Sequence, residues 1–104
     1  IYPAGVTPRI DFERLEALHR ESTVPLALHG GSGTKADDIR RVSRHGVAKI
    51  NVGAAVFEAG KTALQQALHQ HPTTELSDLL ATMESACRDV VADYLSWSGS
   101  ANKA

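Results

Sequence analysis

Two short apolar runs constrain this fold more than any other feature, because each stops at a polar residue followed by glycine. The first, Val24-Pro25-Leu26-Ala27-Leu28, leads into His29-Gly30-Gly31-Ser32-Gly33. The second, Val47-Ala48-Lys49-Ile50-Asn51-Val52, leads into Gly53-Ala54. Between them Ile39 and Val42 stand three apart on a helical period, so the two runs read as strands joined by a helical crossover. Such a crossover makes neighbouring strands parallel and the chain an α/β protein. Parallel strands place His29 and Asn51 on one rim. Glycine there lets backbone N–H groups reach an anion with no Cβ in the way. The arrangement suits a small phosphorylated ligand beside a metal ion.

The remaining helices follow from caps and stripes. Asp11 is placed to cap a short helix carrying Phe12, Leu15 and Leu18 and ending near Arg20. Thr34 is the expected cap of the crossover helix, with Asp37 at its third position and Gly46 just past its end, where a left-handed residue is favoured. Ala55 to about Leu68 reads as a third helix with Val56, Ala59, Ala63, Leu64 and Ala67 inward, closed by Pro72. The stripe Leu76, Leu80, Met83, Cys87, Val90, Tyr94 predicts a helix of about twenty residues ending before Gly99. It serves as core or subunit contact, which Trp97 is placed to anchor.

Composition narrows the function. The 104 residues are 42% hydrophobic and 22% charged, as in ordered globular proteins. A net charge of −1 and 5% aromatic residues offer neither a basic stripe nor a stacking platform for nucleic acid. No apolar run approaches the roughly 20 residues that span a bilayer, and no signal-peptide pattern opens the chain. One cysteine makes no internal disulfide, which fits a reducing cytoplasm. Two strands make no stable sheet and parallel strands need cover on both faces. The expectation is therefore a single unit, residues 1–104, forming the C-terminal part of a (β/α)8 TIM barrel: about its last two βα units and a C-terminal helix. Ile1-Tyr2-Pro3 opens without a strand or cap, as in a chain whose preceding part has been left out.

His29-Gly30-Gly31-Ser32-Gly33, then Asp37-Asp38-Ile39, then Gly46-Val47-Ala48-Lys49-Ile50-Asn51-Val52 resemble the C-terminal part of class II, zinc-dependent fructose- and tagatose-bisphosphate aldolases. Arg9-Ile10-Asp11-Phe12 and Gly99-Ser100-Ala101-Asn102-Lys103 resemble the tagatose-bisphosphate branch, so the likeness spans nearly the whole chain. The resemblance implies one Zn2+ per subunit, bound by three histidines at the barrel mouth, and reversible cleavage of a ketose bisphosphate to dihydroxyacetone phosphate and an aldehyde. His29 matches the zinc-ligating histidine of the seventh strand. Gly30, Gly31 and Ser32 match the loop that holds the ketose phosphate, whose carbonyls help bind a monovalent cation in some members. Asn51 matches the asparagine that bonds the substrate's oxygens near the reacting carbon. Where the family usually carries a Thr or Ser hydroxyl, this chain has Ala54, leaving the backbone amides of Val52, Gly53 and Ala54 to meet the phosphate. The other two zinc histidines and the acid–base groups match nothing in these residues, so the chain alone is expected to be inactive. Its implied partners are a phosphosugar, the rest of its own barrel, and further copies in a dimer or tetramer.

Other residues take simpler roles. His19, His45, His69 and His71 fall on helices or at their ends and are not counted as zinc ligands. Asp37 and Asp38 complement a helix dipole, and Cys87 packs as a small hydrophobe. Two further readings stay open: a phosphosugar-binding or accessory barrel subunit without turnover, and an aldolase for a ketose lacking the usual phosphate, which Ala54 allows.

Overall fold

The computed structural model describes residues 9–103; the expectation for Ile1-Tyr2-Pro3 lies outside them. Six elements follow in the order α1 (Phe12–Glu21), β1 (Leu26–Leu28), α2 (Ala36–Arg44), β2 (Val47–Ile50), α3 (Ala54–Gln70) and α4 (Leu76–Ser98). Asp11 caps α1, its carboxylate accepting the Arg14 N–H at 3.0 Å. Phe12 and Leu15 are half-buried and Leu18 is exposed. The Arg41 guanidinium lies 3.6 Å from the centre of the Phe12 ring, and His45 faces Glu16 at 3.4 Å, so α1 rests on α2.

The two strands pair in parallel, with Leu26 opposite Val47, Ala27 opposite Lys49 and Leu28 opposite Ile50. Both are shorter than their apolar runs. Pro25 has no N–H to give and Val24 is exposed, so β1 starts at Leu26. Beyond Ile50 the chain bends into its loop, yet Asn51 still donates its N–H to Leu28 O at 2.9 Å and accepts from Gly31 N at 3.0 Å. Backbone pairing thus continues into the loops that follow both strands.

The crossover helix α2 supplies the fully buried Ile39 and Val42, which with Val47 form the centre of the core. Thr34 does not cap it. Lys35 holds the cap position without a side-chain bond, and Thr34 is buried with its hydroxyl unpartnered, its backbone N–H spent on Gly31 O at 3.2 Å. Closing the glycine loop takes precedence over capping. Asp37 therefore sits one position earlier than expected and pairs with Arg40 at 2.7 Å. Gly46 follows the helix with φ of 84°, and a Cβ there would strike the His19 ring.

α3 and α4 pack against each other, Val56 and Gly60 of one meeting Met83 and Cys87 of the other. A Cβ on Gly60 would lie 2.9 Å from Cys87 Sγ and 3.0 Å from Met83 Cγ, so glycine sets how closely the helices approach. The apolar stripe of α4 begins at Leu79, not at Leu76 and Leu80, which are 67% and 49% exposed. Gly99, at φ of 76°, ends the helix by donating to Leu95 O and Ser96 O. Among the described residues, no helix is long and apolar enough to cross a membrane.

Candidate functional site

The loops after β1 and β2 meet at one end of the sheet. His29, exposed, stands immediately beyond β1; Asn51, half-buried, stands immediately beyond β2. Their side chains touch, Asn51 Nδ2 lying 3.0 Å from His29 Nδ1. An amide nitrogen only donates, so His29 Nδ1 accepts in this contact.

Gly31 is the point at which the first loop is fixed. It is buried, and a Cβ would meet Ile50 Cγ2 at 2.8 Å and Asn51 O at 3.1 Å, so only glycine lets the loop approach β2 this closely. Gly30 and Gly33 flank it with φ of 68° and 81°, conformations that suit glycine. Between them Ser32 Oγ reaches the second loop, accepting the N–H of Gly53 at 3.2 Å and of Ala55 at 3.1 Å. Gly53 is the cap residue of α3 and has no side chain to satisfy the helix's first amides, so Ser32 caps α3 from the neighbouring loop. With both acceptor positions of its hydroxyl in use, Ser32 keeps one O–H to donate.

That bond alters the expected set of anion-binding amides. The Gly53 N–H is engaged by Ser32, whereas among the described residues the Val52 and Ala54 amides donate to no protein acceptor. They stand where the helix dipole of α3 favours negative charge.

Sequence reasoning did not find Tyr94. Its hydroxyl donates to Gly31 O at 3.2 Å, across 63 positions of the chain, and its ring packs on Trp97 with centroids 4.9 Å apart. Its sequence signal was a phenol on an otherwise apolar stripe, since a buried Tyr hydroxyl needs a partner. Trp97 thus packs within α4.

As a metal donor, His29 brings a single imidazole. Among the described residues, no three His, Cys, Asp or Glu side chains converge as a metal-holding group. A catalytic zinc site takes three protein ligands and an open position, and an exposed rim histidine beside a polar amide fits as one of the three. His19, His45, His69 and His71 lie on α1, after α2 and at the end of α3, away from the two loops.

Comparison with known proteins bears on the fold and the family. A crystal structure of the YdjI aldolase from Escherichia coli K12 superposes with a TM-score of 0.81 at 27% sequence identity, covering 93% of this chain. The chain spans only 36% of that protein's length. The profile of the family described as fructose-bisphosphate aldolase class-II matches residues 1–103. The paired loops, the glycine-bound rim and this match over nearly every residue make the chain a member of the class II fructose-bisphosphate aldolase family.

Proposed function

We propose that this chain forms the seventh and eighth strand region of a (β/α)8 barrel whose mouth cleaves a ketose bisphosphate, such as fructose or tagatose 1,6-bisphosphate, in a zinc-dependent aldol reaction. The observation that carries the reading is the contact of His29 and Asn51, 3.0 Å apart on one rim, beside two loops tied by Ser32. His29 is one of three zinc ligands; the other two and the acid–base groups come from the rest of the barrel. Zinc, when bound, supplies a Lewis acid that stabilises negative charge on the substrate's oxygens. Asn51 donates its Nδ2–H to the same region and steadies charge as it develops.

The phosphate sits between the loops. Ser32 donates its remaining O–H, and the Gly30, Gly31, Val52 and Ala54 backbone surrounds the anion at the start of α3, with loop carbonyls available to a monovalent cation. Holding a phosphate remote from the reacting carbons orients them and supplies binding energy to the reaction. Ala54 lacks the hydroxyl that would add one more contact, an observation that favours a less phosphorylated ketose as a second reading. The protein works in the cytoplasm as a dimer or tetramer of complete barrels.

In the full-length protein, His29→Ala lowers zinc content at least about tenfold and abolishes aldol cleavage, because a one-third loss of the protein ligands is not made up elsewhere. Full zinc occupancy in that variant overturns the ligand assignment. Full occupancy in the wild type with phosphosugar binding but no cleavage identifies a binding subunit instead.

A further inference from the structure

We infer that Tyr94 is a positioning residue for the phosphate loop, holding Gly31 in place from α4; the inference rests on the reading of residues 30–33 as that loop. Gly31 has no side chain through which packing could locate it. Its backbone is held instead on three sides, by its own N–H on Asn51 O at 3.0 Å, by the Thr34 N–H on its carbonyl at 3.2 Å, and by the Tyr94 hydroxyl on the same carbonyl at 3.2 Å. The first two bonds come from the adjoining strand end and the loop itself. Ser32 ties the same loop to the start of α3, and only the Tyr94 bond ties it to α4.

The need for that tie lies in the loop's composition. Three glycines surround Ser32, and glycine has more backbone freedom to lose than any other residue, so an ordered Gly30–Gly33 segment needs restraint from outside. Tyr94 is suited to provide it. Its ring is packed against Trp97 at 4.9 Å and α4 is docked on both α2 and α3, so the hydroxyl is presented from a rigid support. Ser32 is the next residue after the one it holds, and the same Ser32 caps α3. A slack Gly31 therefore loosens both the serine hydroxyl and the amides of the second loop.

The test is Tyr94→Phe in the full-length protein, which removes the hydroxyl and keeps the ring. KM for fructose 1,6-bisphosphate is expected to rise about three- to tenfold, with kcat and zinc content within about twofold of wild type, as when binding common to ground and transition states is lost. Met83→Ala, which disturbs α3 against α4 far from the loop, lowers the Tm without this change in KM. An unchanged KM in Tyr94→Phe overturns the inference. Amide hydrogen exchange supplies a readout independent of turnover: Gly31 and Thr34 should exchange several-fold faster in Tyr94→Phe while α2 keeps its protection, and unchanged exchange overturns the inference. Should the wild type cleave no phosphorylated ketose, the proposed substrate fails and exchange alone decides the role of Tyr94.

Discussion

Asn51 joins three parts of the rim at once: its N–H bonds Leu28, its carbonyl receives Gly31, and its side chain meets His29. Replacing it with alanine leaves the backbone bonds in place and removes only the amide. In the full-length protein, on the proposed aldol reaction, Asn51→Ala is expected to lower kcat by about a hundredfold or more, in the range for losing one donor at a site of developing charge, with zinc retained. A change confined to KM would assign Asn51 to ground-state binding. Gly31→Ala tests the opposite limit, where there is no room: its Cβ must displace Ile50 and the Asn51 carbonyl, costing about 1–3 kcal/mol. A denaturant midpoint equal to wild type would show that the rim relaxes freely. His29, Asn51 and the glycines were legible in the sequence because a polar side chain closing an apolar run marks a strand tip. The partners of Ser32 and Tyr94 were not, since a hydroxyl's acceptors and donors depend on which distant element comes to rest beside it.

The helix α3 begins without a cap of its own and borrows one from Ser32, so a single substitution touches both a helix end and the proposed phosphate loop. Ser32→Ala should lower stability by about 1 kcal/mol, as the loss of an N-cap does, and raise KM for a phosphorylated ketose more than it lowers kcat. A loss of stability with no change in KM would place the phosphate elsewhere. At this scale all six elements and their order followed from periodicity and caps. The errors fell at the ends and on the faces. Both strands are shorter than their apolar runs, because Pro25 cannot join the ladder and the chain bends into its loop beyond Ile50. Thr34 had the residue type of a cap, but closing the turn at Gly31 claimed its backbone. On α4 the stripe was read through Leu76 and Leu80, whereas those two are exposed and Leu79 is the half-buried residue.

Among the described residues the fully or nearly buried apolar side chains are Ile39, Val42 and Val47, whereas Val24, Phe57, Leu76, Leu80, Val91 and Leu95 are each more than two-fifths exposed. A groove between β2 and α4 is lined by Val47, Ile50, Val52, Val56, Val91 and Leu95. Two parallel strands with one thin core fall short of an independently stable sheet. Residues 1–104 prepared alone are therefore expected to show no cooperative thermal transition as a monomer, measured by circular dichroism across dilutions. A sharp, concentration-independent transition would contradict this and count against the barrel reading. Whole-molecule architecture was the least legible scale in the sequence, because the period of a stripe shows which face is apolar and not what packs against it. The Tyr94 tie also has a consequence in time. Ribosomes add about 5–20 residues per second, so the 63 positions separating Gly31 from Tyr94 take roughly 3–13 s to make. During that interval the nascent chain carries its glycine loop with its latch still unwritten.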